Sequence, residues 1–348
     1  MRIELLNHIK QWICFDESRN VYKGKSYKAF WDECYGDAHL SGLRLIRVRK
    51  QAKRAFLDGG FRPDEFRLYG LENKKKGYRD QILSRQEKDQ ILISYYGPDY
   101  IRILGLLKDK YVFYSHLKDY FNRDVTYIKS ADDRLSFLDF CKRHGHIFAK
   151  LNKGYCGRGA RIITVDSDQA ANAAFDEMVS SGEWIIEELI KQDSSISQFN
   201  ASSINTIRFP SFKKNGKVKS VFPCMRFGRE GSIVDNAGQG GVFVSIDPES
   251  GEIITDAFDE EGNVFPSHPD SKVRFRGFRI PRWEELKGIV EKAHLALPDD
   301  QVYVAFDFAL SERGWCIVEG NWGDWILEQV SLGRGMKQEF VSLLQGEW

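Results

Sequence analysis

Short apolar runs set between turns and amphipathic helices, with no repeating strand–helix–strand rhythm, place this chain in the α+β class with mostly antiparallel sheets. Three observations lead there. Residues 200–256 alternate short apolar runs with the turn sequences KKNG, REGS and PESG. The runs VYVAFDFAL (302–310) and WCIVEGN (315–321), both rich in strand-forming residues, are joined only by SERG and read as a hairpin. No GxGxxG follows a strand, so a dinucleotide fold is not indicated.

Taken in order, residues 1–105 read as a mainly helical, loop-rich region. SGLRLIRVRKQAKRAFLDGG (41–60) is a basic helix stopped by Gly59 and Gly60, with Pro63 just beyond. Its Arg44, Arg47, Arg49, Lys50, Lys53 and Arg54 form either a solvated face or a contact with anionic lipid or a phosphorylated partner. LENKKKGYRDQILSRQEKDQIL (71–92) continues the charged helical character. The texture changes near 106. LLKDKYVFYSHLKDYF (106–121) reads as one amphipathic helix, followed by strand VTYIK, helix SADDRLSFLDFCKRHG and strand HIFAKLN. A Gly-rich turn, strand ARIITV, helix QAANAAFDEMVSSG and strand EWIIEELI complete a segment 106–190. Segment 191–348 holds the short strands, the helix PRWEELKGIVEKAHLAL (281–297) with Pro281 near its start, the hairpin and a helical end.

Bulk properties exclude several functions. A net charge of +1 supplies no field for nucleic acid. No 18-residue apolar run exists, so no membrane span is expected, although peripheral membrane association stays open. The opening MRIELLNHIKQWICFDES is broken by charge and lacks a signal-peptide core. Six cysteines without a CxxC pair fit a reduced, cytoplasmic protein. Either a monomer or a homodimer is expected.

Four stretches carry chemistry. In the hairpin, a three-residue loop with Gly314 left-handed pairs Ser311 with Trp315 and sets Asp307 opposite Glu319. Asn321 lies two residues on and shares their face, opposite the small Ala305. Phe306, Phe308, Leu310, Cys316 and Val318 fall on the other face. Two adjacent carboxylates repel, so the face is either solvated or holds a hard divalent cation such as Mg²⁺. FAKLNKGYCGRGARIITV (148–165) sets Lys150 and Lys153 beside glycines 154, 157 and 159, either a structural hairpin or a phosphate cradle. EWIIEELIKQD (183–193) is either a core strand or a strand whose end offers backbone groups to adenine and Asp193 to ribose. Arg208 and Arg226 stand in apolar strands, where each must meet an anion. VDNAGQGG, with Asp235, Asn236 and Gly240, reads as a surface turn or a loop over a site. Cys156 and His268 are not expected to act as nucleophiles.

The order of these segments is that of an ATP-grasp enzyme, and residues from about 105 to 348 resemble that superfamily. NTIR, RFG…GSIVDNAGQGG, HPDSK…GFRIPRW and VEGNWGDW resemble its sugar-transfer-associated, α-L-glutamate-ligase-related branch. The resemblance implies two α+β subdomains gripping ATP, with a mainly helical N-terminal region in place of the usual pre-ATP-grasp domain. It implies phosphate contacts from Lys110 and Lys150, and hinge contacts to adenine from Glu187, Glu188, Leu189 and Ile190. Asp193 or Gln192 is then implied at the ribose, and Asp307, Glu319 and Asn321 at Mg²⁺, with Mn²⁺ as a substitute. It implies Arg226, and secondarily Arg208, at the transferred phosphoryl group. The implied reaction is ADP-forming carboxylate–amine ligation on a small-molecule or glycan-precursor substrate. A kinase and a non-catalytic nucleotide-binding scaffold are the alternatives.

Overall fold

The computed structural model describes residues 15–36, 40–154, 159–229, 231–232, 235 and 240–348. The chain divides into two compact units. One comprises Met1–Gly97, Phe258–Val264 and Asp324–Ser342; the other comprises Pro98–Ala257, Phe265–Gly323 and Leu343–Trp348. The first unit therefore takes in two pieces of the segment expected as a single 191–348 subdomain.

In the first unit a small hairpin, β1 (Asn20–Tyr22) and β2 (Lys25–Ser26), leads into α1 (Tyr27–Tyr35). The Ser26 side chain accepts from the Ala29 amide and caps that helix. Helix α2 (Gly42–Gly59) stops where Gly60 turns left-handed at φ 69°, its amide bonding back to the Ala55 and Phe56 carbonyls. Pro63 then opens α3 (Pro63–Leu68), and Glu65 reaches back to the Arg62 amide. The expected helix over 71–92 is instead a set of short turns before α4 (Arg85–Tyr96), which Ser84 caps at the Glu87 amide. Tyr27, Trp31, Phe61, Phe66 and Tyr69 form the core against Val48, Ala52 and Ala55 of α2.

The second unit begins with α5 (Tyr100–Lys108) and α6 (Lys110–Leu117). The sequence suggests one helix here, but Asp109 leaves helical geometry at φ −93°, ψ 98° and accepts from the Val112 amide. This break makes Lys110 the first residue of α6. A four-stranded antiparallel sheet follows, in the order β3 (Val125–Ile128), β6 (Trp184–Glu188), β4 (His146–Leu151), β5 (Arg161–Thr164). Helices α7 (Arg134–Arg143) and α8 (Asp168–Ser181) cover one face, where Ile147, Ala149, Trp184 and Ile186 pack on Phe137, Phe140, Phe175 and Met178. The period of two along each strand turns Phe148, Lys150, Ile185 and Glu187 to the opposite face.

The larger sheet runs β10 (Val242–Ser245), β9 (Cys224–Phe227), β7 (Thr206–Lys214), β13 (Tyr303–Ser311), β14 (Gly314–Asn321), with β8 (Lys217–Ser220) also paired to β7. Two-residue strands β11 (Ala257–Phe258) and β12 (Val264–Phe265) mark where the chain leaves this unit and returns. Helix α9 (Trp283–Ala296) packs behind β7, with Trp283 stacked on Phe209 at 5.5 Å between ring centres. The chain closes with α10 (Ile326–Leu332) and α11 (Lys337–Gln345). Among the described residues no helix is long and apolar enough to cross a membrane.

Candidate active site

The hairpin places Asp307 opposite Glu319 and Ala305 opposite Asn321, as the sequence suggests, but by another route. Ser311 pairs with Gly314 and Leu310 with Trp315, so the turn is one residue tighter than expected. A bulge then restores the register: Phe308 faces Ile317 while Asp307 faces Glu319, leaving Val318 as the extra residue. Cys316 consequently pairs with Ala309 and sits on the Asp307 side, not beside Phe308 as the uninterrupted register implied. Gly320 is required because an added Cβ would lie 2.4 Å from the Phe113 ring.

Across the sheet, Arg208 lies opposite Asp307 and Arg226 opposite Thr206. Arg208 donates to both Asp307 oxygens, from Nε to Oδ1 at 3.0 Å and from Nη2 to Oδ2 at 2.9 Å. Arg226 Nη2 (3.0 Å) and Asn321 Nδ2 (3.1 Å) also donate to Oδ2. The anion that the buried Arg226 and the half-buried Arg208 share is Asp307, which is fully buried. Burial raises the Asp307 carboxyl, but Arg208 and Arg226 outweigh it and hold the group below the usual range. Glu319 lies higher than usual, pushed up by burial and then by Asp307. Asp235 is planted in the same network, accepting from the Thr206 amide (2.8 Å) and hydroxyl (2.5 Å). The sequence placed it at a loop tip, whereas its carboxylate is buried, which raises its pKa.

The smaller sheet supplies the facing cations. Lys150 Nζ stands 2.6 Å from Glu187 Oε1 and donates to the Val318 carbonyl at 3.4 Å. Arg123 clasps Glu187 Oε2 at 3.0 and 2.8 Å, and donates to the Ile317 carbonyl at 2.6 Å. Strand β14 is the sheet edge, and these cations satisfy carbonyls around its bulge. Burial raises Glu187, yet Arg123 and Lys150 together bring it below the ordinary carboxylate range. Lys110 donates to the Gly154 carbonyl at 2.7 Å, and burial draws its ammonium below the usual lysine range.

Two connected cavities join at Lys110, Lys150, Gly154, Glu187, Val318 and Glu319. The larger, about 340 Å³, is walled by Phe148, Leu151, Ile162, Leu189 and Ile190 and reaches Ser202, Thr206, Arg226 and Asp235. The smaller, about 240 Å³, runs past Phe113 and Leu107 to Asn321 and Trp322. An apolar pocket that narrows onto lysines and a carboxylate is suited to an aromatic, polyanionic ligand. Oxygen donors of the kind a hard cation takes are present: Glu319 and Asn321 line the cavities, while Asp307 lines neither and lies behind them, opposite Glu319 in the hairpin.

Other candidates are placed elsewhere. Asp193 does not line either cavity; its carboxylate caps the turn Ser194–Ser197 through the Ser195 amide and hydroxyl. Gln192 holds Asn205 and the loop carbonyls of Asn200 and Ser203. Glu188 lines the larger cavity, with its carboxylate turned to the Asp124 amide and Arg313. Lys153 is exposed, 3.6 Å from Asp109. Gly159 and Gly240 have positive φ (78° and 89°), as tight turns require. Gly157, Cys156 and Asn236 lie outside the described residues. His268 is buried, with Nε2 donating to the Gly228 carbonyl and Nδ1 accepting from two amides. Leu189 and Ile190 line the larger cavity, where the resemblance expects them, whereas Arg123, Thr206, Phe148, Leu151 and Ile162 escaped sequence reasoning. Only the alternation of β7, which puts Thr206 on the face of Arg208, pointed to any of them.

A family model described as "Sugar-transfer associated ATP-grasp" matches residues 95–343. No curated protein sequence matches the chain. Among solved structures, D-alanyl-alanine synthetase A from Vibrio cholerae is 14% identical, with 70% of this chain and 65% of that one covered at a TM-score of 0.43. The ATP-grasp ligase PsnB with minimal precursor is 12% identical, with 73% and 64% covered at 0.43. The D-alanine–D-alanine ligase of Bacillus anthracis with ATP is 16% identical, with 63% and 55% covered at 0.35. The chain spans just under two thirds of the first two proteins and about half of the third.

Proposed function

Because this chain belongs to the sugar-transfer associated ATP-grasp family, we propose that it is an ATP-dependent, ADP-forming ligase that joins a carboxylate to an amine. The observation that carries this reading is the convergence of Lys110, Lys150 and Glu319 on one apolar-walled cavity. Phe148, Leu151, Ile162, Leu189 and Ile190 enclose the adenine, and the chain at Leu189 and Ile190 presents backbone groups to its edge. Lys110 and Lys150 offset the triphosphate charge. Asp307, Glu319 and Asn321 would hold Mg²⁺ or Mn²⁺, which would offset the negative charge of the phosphates.

A free carboxylate is a poor acyl donor, so its attack on the γ-phosphorus supplies the leaving group. ADP departs, and the amine then displaces phosphate from the acyl phosphate. Arg226 lines the cavity and meets the phosphoryl group during transfer. Arg208 does not line it and instead positions Asp307. No side-chain nucleophile takes part. The family description favours a sugar or surface-glycan precursor as one substrate and an amino acid or other amine as the co-substrate, in either polarity.

The test is incubation with Mg-ATP, hydroxylamine and pools of amino acids, uronic acids and other carboxylates. Hydroxamate formed together with ADP and phosphate supports the proposal and identifies the acid. ADP with a stable phosphorylated product and no hydroxamate replaces it with a kinase. Hydroxamate with AMP contradicts the acyl-phosphate route.

A further inference from the structure

We infer that Asp235 binds the ammonium group of the amine co-substrate and so selects that substrate by its positive charge. This role rests on the ligase reading and adds to it the residue that recognises one reactant. Asp235 lines the larger cavity beside Thr206 and Arg226, yet it is only 6% exposed. Its contacts fall on one oxygen. The Thr206 amide and hydroxyl both donate to Oδ2, and Arg226 Nε stands 3.5 Å from that same atom. Oδ1 receives no hydrogen bond among the described residues, so it is the oxygen left for a ligand in the cavity.

Charge is what sets this carboxylate apart. Arg208 and Arg226 both donate to Asp307, which leaves Asp235 one cation, held at 3.5 Å and shared. Burial raises the Asp235 carboxyl, and Arg226 only partly offsets it. A buried carboxylate with so little counter-charge is costly. Anchoring the chain does not require it, because a neutral amide oxygen would accept both Thr206 hydrogens equally well. A cationic ligand supplies the missing charge. Of the three reactants, ATP and the acid are anions, and only a primary amine is a cation at neutral pH. Arg226, which in the ligase reading meets the phosphoryl group, is the neighbour of Asp235. An amine held at Oδ1 is therefore on the side where the acyl phosphate forms, while the two anionic reactants are repelled from that oxygen.

The test uses the full chain, Mg-ATP and the acid that gives hydroxamate, with amide formation from pools of amino acids and glucosamine identifying the amine. Asp235→Asn keeps an oxygen for Thr206 and removes the charge. Its KM for the amine should rise at least about thirtyfold over the parent, the loss expected when one side of a buried charge pair is removed. Hydroxylamine is uncharged at neutral pH, so its conversion to hydroxamate should change little, as should Mg-ATP affinity by calorimetry. A second measurement needs no variant. In the parent the amine should suppress hydroxamate formation, while the same compound with a hydroxyl in place of its amino group should not. Equal losses with amine and hydroxylamine would make Asp235 a structural anchor and overturn the inference. So would an unchanged KM for the amine in Asp235→Asn, or equal suppression by the hydroxyl twin. Each of these leaves ligation standing, because the parent still forms hydroxamate. A parent that consumes ATP without hydroxamate removes the ligase reading, and this role for Asp235 with it.

Discussion

Replacing Glu187 by Gln removes the one negative charge between two buried cations. Its carboxylate accepts from Arg123 at 3.0 and 2.8 Å and faces Lys150 at 2.6 Å, and it is 3% exposed. Gln is nearly isosteric, so little packing is lost, but Arg123 and Lys150 lose the carboxylate they share. Breaking a buried pair from one side costs about 3–5 kcal/mol, and that range is the expected loss at neutral pH. The pH dependence has a definite sign. Glu187 is held below the ordinary carboxylate range, so its stabilisation is complete above that range and is lost as pH falls through the lowered value. The gap between parent and variant should therefore close in acid. Urea unfolding followed through Trp184, which packs in the core of the same small sheet, reads the effect. The double variant with Arg123→Met should be more stable than the sum of the single losses, by at least about 1 kcal/mol. A loss in Glu187→Gln below about 1 kcal/mol, or additivity within about 0.5 kcal/mol, would refute the reasoning.

Three further outcomes follow from the same geometry. Gly320→Ala drives a methyl into the Phe113 ring, so a loss of about 1–3 kcal/mol is expected in the parent and little of it in a Phe113→Ala background; chemical denaturation of the two singles and the double checks it. His294 is buried, with Nε2 donating to the Gln301 carbonyl and Nδ1 accepting from Ser211, and burial pushes it down to about 3. Because the unfolded imidazole titrates at about 6.5, this residue's contribution to stability falls by up to about 1.4 kcal/mol per pH unit from there down to the folded value. Denaturant titrations should show that slope in the parent and not in His294→Gln. Asp193→Ala removes a cap and should cost about 1 kcal/mol of stability while leaving Mg-ATP affinity within about twofold, as calorimetry would show. A large loss of affinity would return Asp193 to the ribose.

How much of this was legible depended on how locally each feature is encoded. The pairing of Asp307 with Glu319 follows from strand alternation and a short turn, and it was readable. The bulge at Val318 was not, because its partners Arg123 and Lys150 lie far away in sequence. Buried cations announced that an anion must exist, yet nothing local indicated that Arg208 and Arg226 share Asp307. The split between α5 and α6 turned on one residue, Asp109, whose side chain competes with the helix for the backbone. Asp193 misled for the same chemical reason, since a carboxylate after a strand serves a ribose or a cap equally well.

The most direct test of the central claim is calorimetric titration of ATP, with and without Mg²⁺, into the parent, Lys150→Met and Glu319→Gln. The account predicts one site in the parent, tightened by Mg²⁺. It predicts a loss of at least about tenfold in Lys150→Met, where a buried charge-assisted contact is removed. In Glu319→Gln, ATP should still bind, but Mg²⁺ should no longer tighten it. Binding in both variants indistinguishable from the parent, or a parent that takes up no ATP, would contradict the assignment of this cleft.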